Sequence, residues 1–140
     1  MKKQIYLDYA YKVADLVWQD YDALRHQARE EGKAALRNRG RLQNTFQFVG
    51  TVAPAEAMRH RQTGSKRYLD RAKRYLLDVY DVYHTLKTYQ QTQNITIRNA
   101  DFPTLGWMFE PEPYISTYNE IKNLANFTYE ETAQVETVVE

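Results

Sequence analysis

No cysteine occurs among the 140 residues, so disulfides and thiolate chemistry are excluded. The redox compartment stays open, because oxidising and reducing surroundings both accept a chain of this kind. Also missing is any apolar run near the roughly 20 residues that span a bilayer. Met1-Lys2-Lys3 is followed by Asp8 and Asp15 rather than by the apolar region of a signal peptide, so no export signal is expected in the chain as given. The motifs that announce common chemistries are absent too: no H-E-x-x-H, no Walker loop, no G-x-S-x-G, no G-x-G-x-x-G and no Cys-x-x-Cys. The histidines His26, His60 and His84 lack a ligand-spaced partner on a helix, so neither a metal nor another cofactor is expected.

What is present suits one domain, residues 1–140, with ordinary shares of hydrophobic (43%) and charged (26%) residues. The net charge of +1 hides an asymmetry. Residues 1–74 carry 16 Lys/Arg against 8 Asp/Glu, and residues 75–140 carry 3 against 10. A basic half can attract a polyanion, and the plainer reading is that the two halves neutralise each other once packed or simply form solvated helix faces.

Helical periodicity dominates, and no convincing strand appears; "NITIR" alternates but reads as a loop or half a small hairpin. Ile5, Tyr9, Val13, Leu16, Val17, Tyr21, Leu24 and Ala28 recur at helical steps without a proline, predicting one helix over about 4–31 that Gly32 or the Gly40 region ends or bends. "GKAALRNRGR" reads as a frayed continuation and connection. A second helix is expected over 50–62, where Pro54 is comfortable only in the first turn. "RQTGSKRY" then closes that helix and opens another over 66–89, with Gly64 just past the C-terminus and Ser65 offering its side-chain oxygen as N-cap.

In that longer helix Tyr68, Leu69, Ala72, Tyr75, Leu76, Val79, Tyr80 and Tyr83 form the face to be buried. Lys66, Arg67, Asp70, Arg71, Lys73, Arg74, Asp78 and Asp81 form the outer, solvated one. The segment "QQTQNITIRNADFPTLGW" is a long loop. Further helices are expected over 112–125 and 129–140, the last opened by a capping box between Thr128 and Glu131. Val135, Val138 and Val139 find no later partner in the sequence, which reads as a chain cut rather than finished. The fold class expected is all-α, built from antiparallel αα-hairpins.

Chemistry is weakly marked. Asp78 with Asp81, or Glu110 with Glu112, could form an acid–base pair, though such spacings are common. The aromatic content is a better clue: Tyr6, Tyr9, Tyr11, Trp18 and Tyr21 join Tyr68, Tyr75, Tyr80 and Tyr83 on helices. Such rings pack cores, and they also line sugar-binding clefts.

The stretch "APAEAMRHRQTGSKRYLDRAKRYLLDVY" resembles the repeat of (α/α) toroid carbohydrate enzymes, in which A-x-x-Y-x-x-T-G-D-x-x-Y ends an inner helix and Y-x-x-x-A-x-x-x-L begins an outer one. "YISTYNEIKNLANFTYEETAQVE" resembles the next repeat of heparinase II/III-like and alginate lyase-like proteins. The resemblance covers residues 44–140, with Ser65 in place of the usual Asp and Asn119-Glu120 near the usual Tyr-Asp.

It implies part of an incomplete toroid, from a secreted or periplasmic polysaccharide lyase that cleaves uronic-acid glycans by metal-independent β-elimination. A glycoside hydrolase of the same fold is the neighbouring possibility. The family's Asn or Arg, Tyr and His motifs have no match here, so no catalytic residue is carried over and the segment is expected to be inactive alone. Gln47, Trp107 and Glu110, which lead into the two inner helices, are the candidate cleft-wall residues. The partner expected is an acidic polysaccharide rather than nucleic acid or a membrane, with self-association through exposed apolar helix faces. The rival reading is a helical-repeat module that binds a protein partner.

Overall fold

The computed structural model describes residues 2–38, 49–95 and 111–139. These form helices α1 (Lys2–Gln19), α2 (Tyr21–Asn38), α3 (Val49–Thr63), α4 (Lys66–Thr92), α5 (Pro111–Ile121) and α6 (Tyr129–Val139), and no strand occurs among them. The αα-hairpin α3/α4 is the centre, with α1 and α5 packed on α3 and α2 and α6 packed on α4.

The hairpin turn works through Gly64. Its φ of +71° is a left-handed conformation that a residue without Cβ adopts cheaply, and its N–H donates to the His60 carbonyl at 2.7 Å. Ser65 is the N-cap of α4, but its side chain makes no capping hydrogen bond, contrary to expectation. The hydroxyl of Thr63 does the local work instead, accepting from the Ser65 N–H at 3.1 Å and donating to the Arg59 carbonyl at 2.8 Å. Pro54 also departs from the reading. It lies beyond the first turn of α3, where its missing N–H leaves the carbonyl of residue 50 without its usual helical donor.

The single helix expected over 4–31 is two helices. At Asp20 the N–H reaches back only three residues, to the Val17 carbonyl at 3.2 Å, before Leu24 N–H to Asp20 O (2.9 Å) restarts the regular ladder. No proline or glycine causes this break, and tertiary packing accounts for it. Trp18 and Tyr21, on either side of Asp20, both pack against Tyr75, the first edge-on and the second tilted, with centroids 5.8 and 4.9 Å from its ring. The break thus lets α1 follow α3 while α2 follows α4. Gly32, expected to end or bend the helix, lies inside α2 and permits contact: a Cβ there would come within 2.6 Å of the Leu86 methyls.

The core joins Val52, Ala53 and Ala57 of α3 to Leu69, Ala72, Tyr75, Leu76, Val79, Val82 and Leu86 of α4. Tyr21, Ala28 and Leu36 of α2 close one side, and Tyr114 and Ile121 of α5 close the other. The buried Tyr114 hydroxyl donates to the Leu76 carbonyl at 2.9 Å, tying α5 to α4. Val135 and Val138 of α6, which lacked an evident partner in the sequence, are buried in this same core. The capping box is reciprocal: Thr128 N–H donates to Glu131 Oε1 at 2.9 Å, and Glu131 N–H to Thr128 Oγ1 at 3.0 Å.

Candidate functional site

Positions 52, 53, 56 and 57 form the buried face of α3, and the third of them is Glu56, with 0% exposure. A carboxylate at an apolar register position must find a charge partner or give up its own charge. Among the described residues its ion-pair partner is Arg71 of α4, 3% exposed, whose guanidinium lies 3.6 Å from Glu56 Oε1. Among the described residues neither Glu56 oxygen finds a hydrogen-bond partner, and neither does the buried Tyr75 hydroxyl.

Arg71 spends its hydrogen bond on Asp15 of α1 at 2.7 Å, and Arg59 of α3 donates to the same oxygen at 2.7 Å. Burial therefore pushes Glu56 up to about 7, against the pull of Arg71 and Arg59. Burial works to raise Asp15 as well, but the two arginine hydrogen bonds outweigh it and hold this carboxyl below its ordinary value. Tyr75 is raised, first by burial and then by the Glu56 charge.

A second cluster continues the line along α4. The Asp78 carboxylate accepts from Tyr21 at 2.6 Å, from Arg25 at 3.3 Å and from Arg74 at 3.3 Å, while Arg74 also donates to Asp22 at 2.8 Å. Burial, then the Asp78 charge, raises Tyr21, so its proton stays on the phenol. Asp81 pairs with Arg29. The acid–base pair read from Asp78 and Asp81 is consequently committed to ion pairs. The placement of Arg71 and Asp78 on a solvated face is also corrected: both are buried, at 3% and 8% exposure.

Over these clusters lies a concavity of about 480 Å³ bounded by Trp18, Arg67, Asp70, Arg71 and Arg74. The Trp18 ring is the plate on which two of its cations rest, with the Arg71 and Arg74 guanidinium carbons 5.0 and 5.8 Å from its centroid. Arg67 is exposed, and no carboxylate of the described residues pairs with it. A neighbouring concavity of about 420 Å³ shares Asp70 and Arg74 and adds Lys73, Leu77 and Asp78. The arrangement can hold an anion at its rim: Arg67 is exposed and Arg74, fixed by Trp18 and by its carboxylate partners, is partly so, while the buried Arg71 adds its charge from beneath.

Gln47, Trp107 and Glu110, the cleft-wall candidates, lie outside the described residues. Of the residues that build the site, Trp18 was visible in the aromatic series. Asp15, Glu56 and Arg59 were not, although Glu56 at four residues from Val52 and three from Ala53 is the signal that could have found them. Comparison with known proteins finds no match among family models, curated proteins or solved structures.

Proposed function

We propose that this chain is a segment of an (α/α) toroid polysaccharide lyase and contributes an acidic-sugar subsite to it. The observation that carries the reading is the concavity of Trp18, Arg67, Arg71 and Arg74, an aromatic plate edged by arginines on αα-hairpins. The side-by-side packing of α3 with α5 and of α4 with α6 supports it, because inner helices beside inner and outer beside outer is how such hairpins accumulate into rings.

A uronate carboxylate fits the exposed Arg67 fork bidentately, and a lyase needs that carboxylate neutralised before the neighbouring carbon gives up its proton. Asp70 on the rim restricts the site to short acidic stretches rather than dense polyanions. The base and acid of an elimination are not supplied by the hydroxyls of Tyr21, Tyr75 and Tyr114, which are buried with raised pKa values. The described residues bind, and turnover belongs to the rest of the ring.

Calorimetric titration with an oligouronate and with a neutral glucan of equal length tests this. Binding of the uronate alone is expected, weakened about tenfold by Arg67→Gln, with no release of ultraviolet-absorbing unsaturated product. Equal affinity for the neutral glucan, or no uronate binding, sinks the reading.

A second reading, a helical module that docks on a protein, is favoured by one observation: Ile5, Tyr6, Tyr9 and Leu16 of α1 are exposed.

A further inference from the structure

Helix α1 has two apolar faces. The inner one is centred on Ala14, 0% exposed, with Leu7, Tyr11, Val17 and Trp18 half-buried around it. At 100° per residue, the positions opposite Ala14 are Ile5, Tyr9, Lys12 and Leu16, a seam with steps of four, three and four residues. Ile5 is 67%, Tyr9 70% and Leu16 54% exposed, and Lys12 is exposed between them. A helix apolar on both sides is the pattern of a buried helix, yet no other described residue covers this seam.

We propose that the seam is a homodimer contact in which α1 pairs antiparallel with α1 of a second copy, about a two-fold axis between Ala10 and Tyr11. The case rests on self-complementarity. Around that axis Ile5 meets Leu16 of the second copy, and Tyr9 meets its Lys12, so each apolar side chain gains an apolar neighbour and each ammonium lies over a tyrosine ring.

A parallel pair stacks Lys12 on Lys12 and is disfavoured by like charge. The flanks agree. Tyr6 approaches Val13 on one side, and on the other Asp8 approaches Asp15, whose charge Arg59 and Arg71 already balance at 2.7 Å each. One helix pair buries less than a standard interface, so the dimer is weak and concentration-dependent.

The contact is independent of the arginine concavity and stands or falls without it. Sedimentation equilibrium of the full chain over a concentration series is the first test. A reversible monomer–dimer equilibrium is expected, weakened about tenfold by Tyr9→Ala and abolished by Leu16→Glu, with helicity by circular dichroism unchanged because both sites are exposed. The absence of native cysteine makes a second test clean. Ile5→Cys and Leu16→Cys variants, mixed under mild oxidation, should form a disulfide-linked heterodimer that neither gives alone. A wild-type chain that stays monomeric at every concentration overturns the proposal, and so does cross-linking of Ile5→Cys with itself, which reports parallel pairing.

Discussion

Glu56 concentrates the electrostatics of this protein in one side chain. Its ordinary value of 4.5 is raised to about 7 in the folded chain, so the native state holds the proton more tightly than the unfolded one. The sign follows: the carboxyl does not oppose folding below pH 4.5, and stability is lost as pH rises from there through about 7. Glu56→Gln keeps the shape and removes the titration. Its urea midpoint should hardly move between pH 5 and 8 while that of the wild type falls, leaving the variant more stable at pH 8 by about 1–3 kcal/mol. A variant as pH-dependent as the wild type over that range refutes the assignment.

Arg71→Leu should behave in the opposite sense, costing about 3 kcal/mol at pH 8, where it strands a buried carboxylate, and clearly less at pH 5, where Glu56 is protonated. Asp15, held below its ordinary value, contributes in the other direction, with stability lost only as pH falls through its lowered pKa.

Individual elements differ in how far their sequences decide them. For α6, the Thr128 and Glu131 pair was legible because a capping box is a purely local exchange of hydrogen bonds. Thr128→Ala should therefore cost about 1 kcal/mol by thermal or chemical denaturation. Acid should weaken the same cap, since the backbone N–H of Thr128, with Lys73 behind it, holds Glu131 below its usual range.

The break between α1 and α2 was illegible. Little in Trp18-Gln19-Asp20-Tyr21 announces it beyond Asp20, a residue type favoured at helix starts; the ring of Tyr75, far along the chain, gives the two halves their reason to diverge. Gly32 misled for a related reason. It reads as a breaker by propensity, while its place depends on Leu86 of another helix. Gly32→Ala gains about 1 kcal/mol in helix propensity and meets overpacking of about 1–3 kcal/mol against a Leu86 that is 1% exposed, so a net loss is expected. In the Gly32→Ala, Leu86→Ala double variant the losses should be less than additive, which a double-mutant cycle reads directly.

At the scale of the whole molecule, the charge asymmetry of the sequence resolves into contacts between its halves. Arg25 with Asp78, Arg29 with Asp81, Arg61 with Glu120 and Lys73 with Glu131 each join the basic half to the acidic one. The all-helical class was therefore legible from periodicity, while the charge distribution left neutralisation between the halves and solvated helix faces equally open. The buried network was not, because a heptad-style reading assigns every charge to the outside.

No helix among the described residues is long and apolar enough to cross a membrane. Amide hydrogen exchange should be slowest along α4 between Ala72 and Val82, where every neighbouring helix converges, and fastest over the first turns of α1. Uniform protection would contradict this core.

The close approach of Gly32 and Leu86 also carries a historical consequence. Were this sequence to drift, a side chain at residue 32 and a smaller residue 86 would each cost less in the presence of the other, since the first fills space that the second vacates. The spacing of α2 and α4 thus couples the two positions, so that substitutions there accumulate as a pair more readily than singly.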